Sequence, residues 1–429
     1  MAETRRRRGF HQERMLYQDD LQELQAQSPD GMMAQLSSQA TFNSLLTKTH
    51  VQHALIQPGG RHNDLPTGLA TLLFLNGSPD ELQAVYETES ASLGAWTPSP
   101  RSITDETGRT RYLGDIRFQR AYMTYFSMEN GKFSGNSAAL AMSHLLTGEK
   151  PLLYGLFSGL GRPLVFLGDG LELRSPFLVL QALTLSAVDW SDSIHELLSH
   201  PRLMRASNSV LPPDKILTQL AYDGRLCGIM KAGPGFHGVS HLFSNATAKE
   251  AVLEYVHMLD CRDIDEVVRQ LSSVSVTLVC ATHKAGSPAF DFYLGCLPAW
   301  VHGLRILLGS VPDESNRIML VRGVWLLTVL AYITQLRPVV DLDGLYCGTL
   351  VGLGDWDDVF RAVRSKATFD DRYNDLQLLR ALRSFSEFGK QYDGAKDSIY
   401  LRAAWKLVTQ WKTWTGLGAD REESLNIRL

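Results

Sequence analysis

Residues 161–188 read GRPLVFLGDGLELRSPFLVLQALTLSAV, and the second half of that stretch decides the fold class. Ser175 is a favoured N-cap residue, and Pro176 suits the first helical position, where its missing N–H would have no intrahelical partner anyway. The run PFLVLQALTLSAV that follows predicts a helix. Working outward, helical spacing recurs at residues 65–75, 81–89, 116–127, 137–146, 216–222, 248–259, 264–280, 290–308, 317–336, 356–364, 376–388 and 400–414, and very few stretches alternate with period two. The expected class is mostly α: a large helical domain with a central buried pocket and few or no strands.

Start and stop signals agree with that reading. Ser78-Pro79-Asp80-Glu81 combines a capping box with proline at the first helical position, and Thr247 with Glu250 predicts a second box. Gly77, Gly148 and Gly394 stand where helices should begin or end. Residues 89–114 are polar and bear Pro and Gly, which predicts a long loop bordering a pocket. Residues 207–213 and 233–238 are further loop candidates. Residues 1–40, rich in Gln, Arg, Asp and Ser, predict a flexible leader with a frayed helix near residues 21–36. Core-like sequence begins at Phe42, so residues 41–429 are expected to form one helical domain or two packed helical lobes.

Of the 429 residues, 44% are hydrophobic and 21% charged, as in globular proteins, and the net charge of -4 points to neither nucleic acid nor an anionic membrane surface. The five cysteines, Cys227, Cys261, Cys280, Cys296 and Cys347, are widely spaced without a CxxC pair, which predicts free thiols in a reducing, cytoplasmic setting. Arg5 to Arg8 are followed by no apolar h-region, so no secretory signal is legible, and the basic run reads as a solvated tail. The longest apolar run, GVWLLTVLAYITQL at residues 323–336, is 14 residues long and suits a core helix better than a membrane span.

No Walker loop, dinucleotide GxGxxG, HExxH or GxSxG elbow is present. Residues 155–161, GLFSGLG, lack the Lys-Ser/Thr of a phosphate loop and read as a helix break. His237 and His241 have i, i+4 spacing, yet Gly233, Pro234, Gly235 and Gly238 argue for a loop and two ordinary polar histidines. His283, beside Lys284 and Gly286, is expected on the surface, while His302 is expected to share the interior with Cys296.

Four segments carry a resemblance to the questin oxidase-like family of fungal secondary-metabolism enzymes. Residues 161–172 are similar to the family's H-P-x-I-H-L-G-Y/F-G-x-E, with Arg162 and Phe166 at the two histidine positions. His62-Asn63-Asp64-Leu65-Pro66-Thr67 resembles H-N-H-x-x-H, with Asp64 and Thr67 replacing histidines, and residues 75–86 follow the family's turn and helix closely. Residues 290–296 resemble D-F-F-L-M-H, with Cys296 at the histidine. Residues 397–404 resemble H-V-I-K-x-x-R-A, with Asp397 replacing a histidine and Tyr400 a lysine.

The resemblance implies a non-heme iron held by histidines and a carboxylated lysine in iron-dependent members. With most of those positions replaced, the expectation here is no metal and no cofactor, non-heme iron being the alternative. Phe166 and Tyr400 would fill the vacated space with aromatic surface. Arg162, Tyr400 and His62 are the expected catalytic donors, and Phe166, Asp169, Cys296, Trp300, His302 and Asp397 the expected substrate-binding residues. Such a pocket suits a cofactor-independent cyclase or isomerase of Diels–Alder type, working on a small polycyclic substrate by confinement and hydrogen-bond activation. The alternative is oxygenation of the Baeyer–Villiger or ring-cleaving kind that the family implies.

Overall fold

The computed structural model describes residues 29–205, 209–230, 233–283, 288–346, 354–366, 372–392 and 399–417. The fold is mostly α, as expected. Its principal helices are α1 (Pro29–Gln52), α2 (Leu65–Phe74), α3 (Pro79–Ser90), α4 (Gln119–Lys132), α5 (Arg162–Glu172), α6 (Pro176–Val188), α7 (Ile264–Cys280), α8 (Leu297–Leu308), α9 (Glu314–Thr334), α10 (Arg372–Tyr392) and α11 (Ile399–Gln410). Among the described residues the one sheet is a short parallel pair, β1 (Phe290–Asp291) beside β2 (Trp414–Thr415), with Phe290 opposite Trp414.

The centre of the packing is α5, which lies against both α6 and α8. Sequence spacing does not predict α5, because Gly168 and Gly170 weaken a helix interior by roughly 0.5–1 kcal/mol each relative to alanine. Tertiary contact explains them. A Cβ on Gly168 would lie 2.8 Å from the Gly303 Cα of α8, and one on Gly303 would lie 2.9 Å from the Leu164 carbonyl oxygen. A Cβ on Gly170 would meet the Val179 backbone nitrogen of α6 at 2.9 Å. Main chain touches main chain on both sides of α5, and only glycine permits it.

Elsewhere local signals and structure mostly coincide. The capping box forms, with Glu81 N–H donating to Ser78 Oγ at 3.2 Å and Ser78 N–H to Glu81 Oε2 at 2.7 Å. Ser175 takes the N-cap position of α6 but its side chain makes no capping bond there. Six local expectations need correction. His237 and His241 lie not in a loop but in consecutive helical segments, Phe236–Gly238 and Val239–Ser244. Residues 290–308 open as β1 and continue as two helices, Phe292–Gly295 and α8. The Thr247–Glu250 box gives way to Asn245, which caps helix Ala246–His257 by accepting from Ala248 N–H at 3.0 Å. Residues 89–114 contain a short helix, Glu106–Arg111, capped by Asp105. The segment 400–414 is helical only to Gln410, because the chain then turns so that Trp414 fits against Gly295 and pairs with Phe290. His283 is buried, packed on the Phe290 ring at 5.2 Å, and burial pulls its pKa down to about 4.

The first described helix, α1, runs through residue 40, and its buried positions begin at Ser38 and Phe42. Helix α9 is long and apolar enough to cross a bilayer, yet residues 319–334 are all buried within the fold. Gly303→Ala is expected to lower the free energy of unfolding by about 1–3 kcal/mol through overpacking. Gly131→Ala, where an added methyl meets nothing within 4 Å, is expected to be neutral or stabilising; urea denaturation of the two variants checks the contrast.

Candidate functional site

Most of the motif positions converge. Arg162 is the first residue of α5, and its guanidinium grips the Asp64 carboxylate, with Nε 3.0 Å from Oδ1 and Nη2 3.2 Å from Oδ2. Asp64 stands at the N-cap of α2, and Thr67 follows within the same first turn. Arg380, from α10, donates to Thr67 Oγ1 through Nη2. Both side chains of the Arg162–Asp64 pair are about nine-tenths buried. Burial alone would raise the Asp64 carboxyl, but the guanidiniums of Arg162 and Arg380 outweigh it and hold the group at about 2.

Cys296, at the N-cap of α8, sits in the field of Arg162, Arg380 and Asp64. Its Sγ donates to the Phe292 carbonyl at 3.4 Å, and burial pushes the thiol up to about 12. Phe166 lies one turn along α5 from Arg162 and is fully buried. Gln377 Nε2 ties α10 to the Gly295 carbonyl at 2.7 Å, just before Cys296.

A second buried cluster lies one turn further along α5. Arg383 donates to Asp169 Oδ1 at 2.7 Å and to Glu172 Oε2, while its guanidinium stacks over the Phe74 ring at 3.4 Å. His302 Nε2 is 3.1 Å from Glu172 Oε2, and Arg305 Nη2 lies 3.3 Å from His302 Nδ1. Arg383 Nη2 lies 3.3 Å from His302 Nε2, so guanidiniums flank both ring nitrogens. Burial lowers the His302 pKa, which favours the neutral ring. Burial raises both carboxyls, but Arg383 and His302 overcome it at Glu172, held at about 2, whereas Asp169 stays raised and its Oδ2 has no hydrogen-bond partner.

The remaining candidates separate from this centre. His62 places Nε2 2.8 Å from Asp189 Oδ2, at the C-terminal end of α6. Trp300 donates from Nε1 to the Leu160 carbonyl at 2.7 Å and holds the turn that leads into α5. Tyr400 is buried on α11 with its ring 5.8 Å from Phe388. Asp397 lies outside the described residues. His237 and His241 are exposed.

Sequence reasoning missed Arg380, Arg383 and Asp189. The first two carried a signal: in LQLLRALRSF, two arginines sit three apart in a run of α10 with no solvated face, and residues 376–386 are all buried. A cation in such a helix must have an internal partner.

The iron that the resemblance implies does not fit these side chains. Arg162 and Phe166 cannot ligate, and two guanidiniums would repel a cation placed beside Asp64. Among the described residues no group of three or more His, Cys, Asp or Glu could hold a metal ion.

Two outcomes follow from the buried charges. Arg162→Ala, which strands Asp64, is expected to lower the unfolding free energy by about 3–5 kcal/mol, read by chemical denaturation. Asp64 and Glu172 bind their protons less readily folded than unfolded. Their stabilisation is therefore complete above pH about 4.5 and is lost as pH falls toward 2. Denaturation at pH 3 against pH 5 is expected to show a loss on the order of 2–3 kcal/mol.

The questin oxidase-like family model matches residues 61–382. A questin oxidase from Aspergillus terreus (strain NIH 2624) is 24% identical over 402 residues, covering 86% of this chain and 85% of the relative. A questin oxidase from Aspergillus fumigatus is 22% identical, covering 86% of this chain and 84% of its own length. A Baeyer–Villiger monooxygenase from a Cryptosporiopsis species is 25% identical and matches 83% of each chain. The match runs from the His62 segment through α5 and β1 into α10, across every element that builds the buried polar centre, and the chain belongs to the questin oxidase-like family.

Proposed function

We propose that this enzyme is an oxidoreductase of fungal secondary metabolism that inserts oxygen beside a carbonyl of a polycyclic small molecule, in the manner of a Baeyer–Villiger oxidation. The observation that carries this reading is the near full-length match to fungal questin oxidases and a Baeyer–Villiger monooxygenase. The cofactor-independent Diels–Alder-type cyclase expected from the replaced ligand positions gives way to the oxidative alternative. Loss of metal-binding side chains argues against one cofactor and says nothing for a cyclisation, and the relatives reported above are named as oxidases and a monooxygenase.

The stoichiometry sets a requirement. One atom of dioxygen enters between the carbonyl carbon and its neighbour, and the other leaves as water, which takes two protons and two electrons from an external donor such as a reduced nicotinamide. Within the protein, the paired guanidiniums and carboxylates would hold the helices that frame the substrate site, and apolar walls would exclude water from it.

Purified protein incubated with labelled dioxygen, a reduced nicotinamide and polycyclic aryl ketones is expected to give a product carrying one labelled oxygen. A rearranged product of unchanged formula, formed equally well without oxygen, would return the cyclase reading to first place.

A further inference from the structure

A cavity of about 490 Å³ opens beside the His62–Asp189 pair, within the size range of small-molecule sites. Its apolar walls include Phe157, Leu160, Phe236 and Phe243, and its polar groups include Ser158 and Asp189. Three independent features meet there. First, Gly159, Leu160 and Gly161 have φ of +53°, +59° and +65°, three left-handed residues in a row. Leucine rarely adopts that conformation and is held in it by the Trp300 bond to its carbonyl. A Cβ on Gly159 would lie 2.3 Å from Asp189 Oδ2, so the turn is pressed against the carboxylate.

Second, four serines, Ser191, Ser193, Ser240 and Ser244, line the cavity beside its aromatic walls. Third, His62 occupies only Oδ2 of Asp189, at 2.8 Å; Oδ1 takes no hydrogen bond from the described residues. The cavity thus offers aromatic walls, one carboxylate oxygen that takes no hydrogen bond from the described residues, and several serine hydroxyls.

We propose that this cavity holds the ring-bearing substrate, that Asp189 Oδ1 accepts the hydrogen of a hydroxyl on that ring, and that His62 acts as a positioning residue by fixing the carboxylate. The assignment rests on the oxidative reading for the substrate's chemical nature but not for its place. Serine hydroxyls of the lining meet a second oxygen of the ligand, and the phenylalanines cover its faces. The strained turn keeps its geometry because it is anchored from behind by Trp300, so the site is formed before the ligand arrives.

The test is binding, measured with full-length protein by isothermal titration using 2-hydroxyanthraquinone and 2-methoxyanthraquinone as probes. The hydroxyl probe is expected to bind roughly tenfold or more tightly than the methoxy probe, the range for a hydrogen bond to a charged acceptor. Asp189→Asn should bring the two probes within about twofold of each other, since an amide rotates to serve either. His62→Ala should narrow the gap and His62→Gln, which keeps a donor, should restore part of it; loss of an inert structural contact would not produce that pattern.

Phe243→Ala, on the partly exposed rim, should weaken both probes alike, and it carries the test if Asp189→Asn fails to fold. Equal binding of the two probes to the wild type, an undiminished preference in Asp189→Asn, unchanged affinities in Phe243→Ala, or no saturable binding would overturn the proposal. Oxygen incorporation that survives both variants would sink the cavity and leave the oxidase reading intact. The expected binding pattern without oxygen incorporation would do the reverse.

Discussion

A guanidinium withdrawn from water is stable only beside a partner, and the interior of this protein is arranged around that constraint. Arg162 fastens α5 to the residues opening α2, Arg380 joins α10 to the first turn of α2, and Arg383 fastens α10 to the far end of α5. Three helices distant in sequence thereby have fixed registers as well as a shared apolar boundary. Set against hydrophobic side chains of the same volume, such pairs add little net stability, but each is severe to break singly. Their effect is to select one arrangement among the many that oily helices could adopt. The glycine contacts of α5 act in the same direction, since an approach of main chain to main chain tolerates very little sliding.

The helices and their starts were largely legible, because apolar period and capping chemistry are local properties. Ser78 with Glu81 formed the predicted box and residues 264–280 the predicted helix. What escaped was decided at a distance. Helix α5 hides behind two glycines that make sense only when Gly303 and Val179 are in place. His283 sits next to turn-like residues, and only the Phe290 ring explains its burial. In the site, Arg162, Asp64 and Cys296 could be singled out from motif positions, but that Arg162 would pair with Asp64, that Arg380 would join them, and that His62 would choose Asp189 depend on how helices cross. No spacing rule contains that information.

The resemblance places Arg162 at a motif histidine, and in the structure its guanidinium pairs with the Asp64 carboxylate, with Arg380 adding to the positive field there. The chemistry available to the protein shifts accordingly. Guanidiniums donate hydrogen bonds and balance negative charge, but neither bind dioxygen nor change oxidation state. In the oxidative reading proposed above, the electrons for oxygenation would come from an external donor, and hydrogen-bonding groups such as Asp189 would meet the substrate.

The short parallel pair of β1 and β2 has a temporal consequence. Thr415 reaches back 125 positions to the Phe290 carbonyl, and Arg383 reaches back 214 positions to Asp169. During synthesis, the apolar faces of α5, α6 and α8 emerge from the ribosome well before the arginines that neutralise them and the C-terminal clasp that seals them. The growing chain therefore passes through a long interval with oily surface and unmatched carboxylates exposed, the condition in which incomplete polypeptides aggregate most readily.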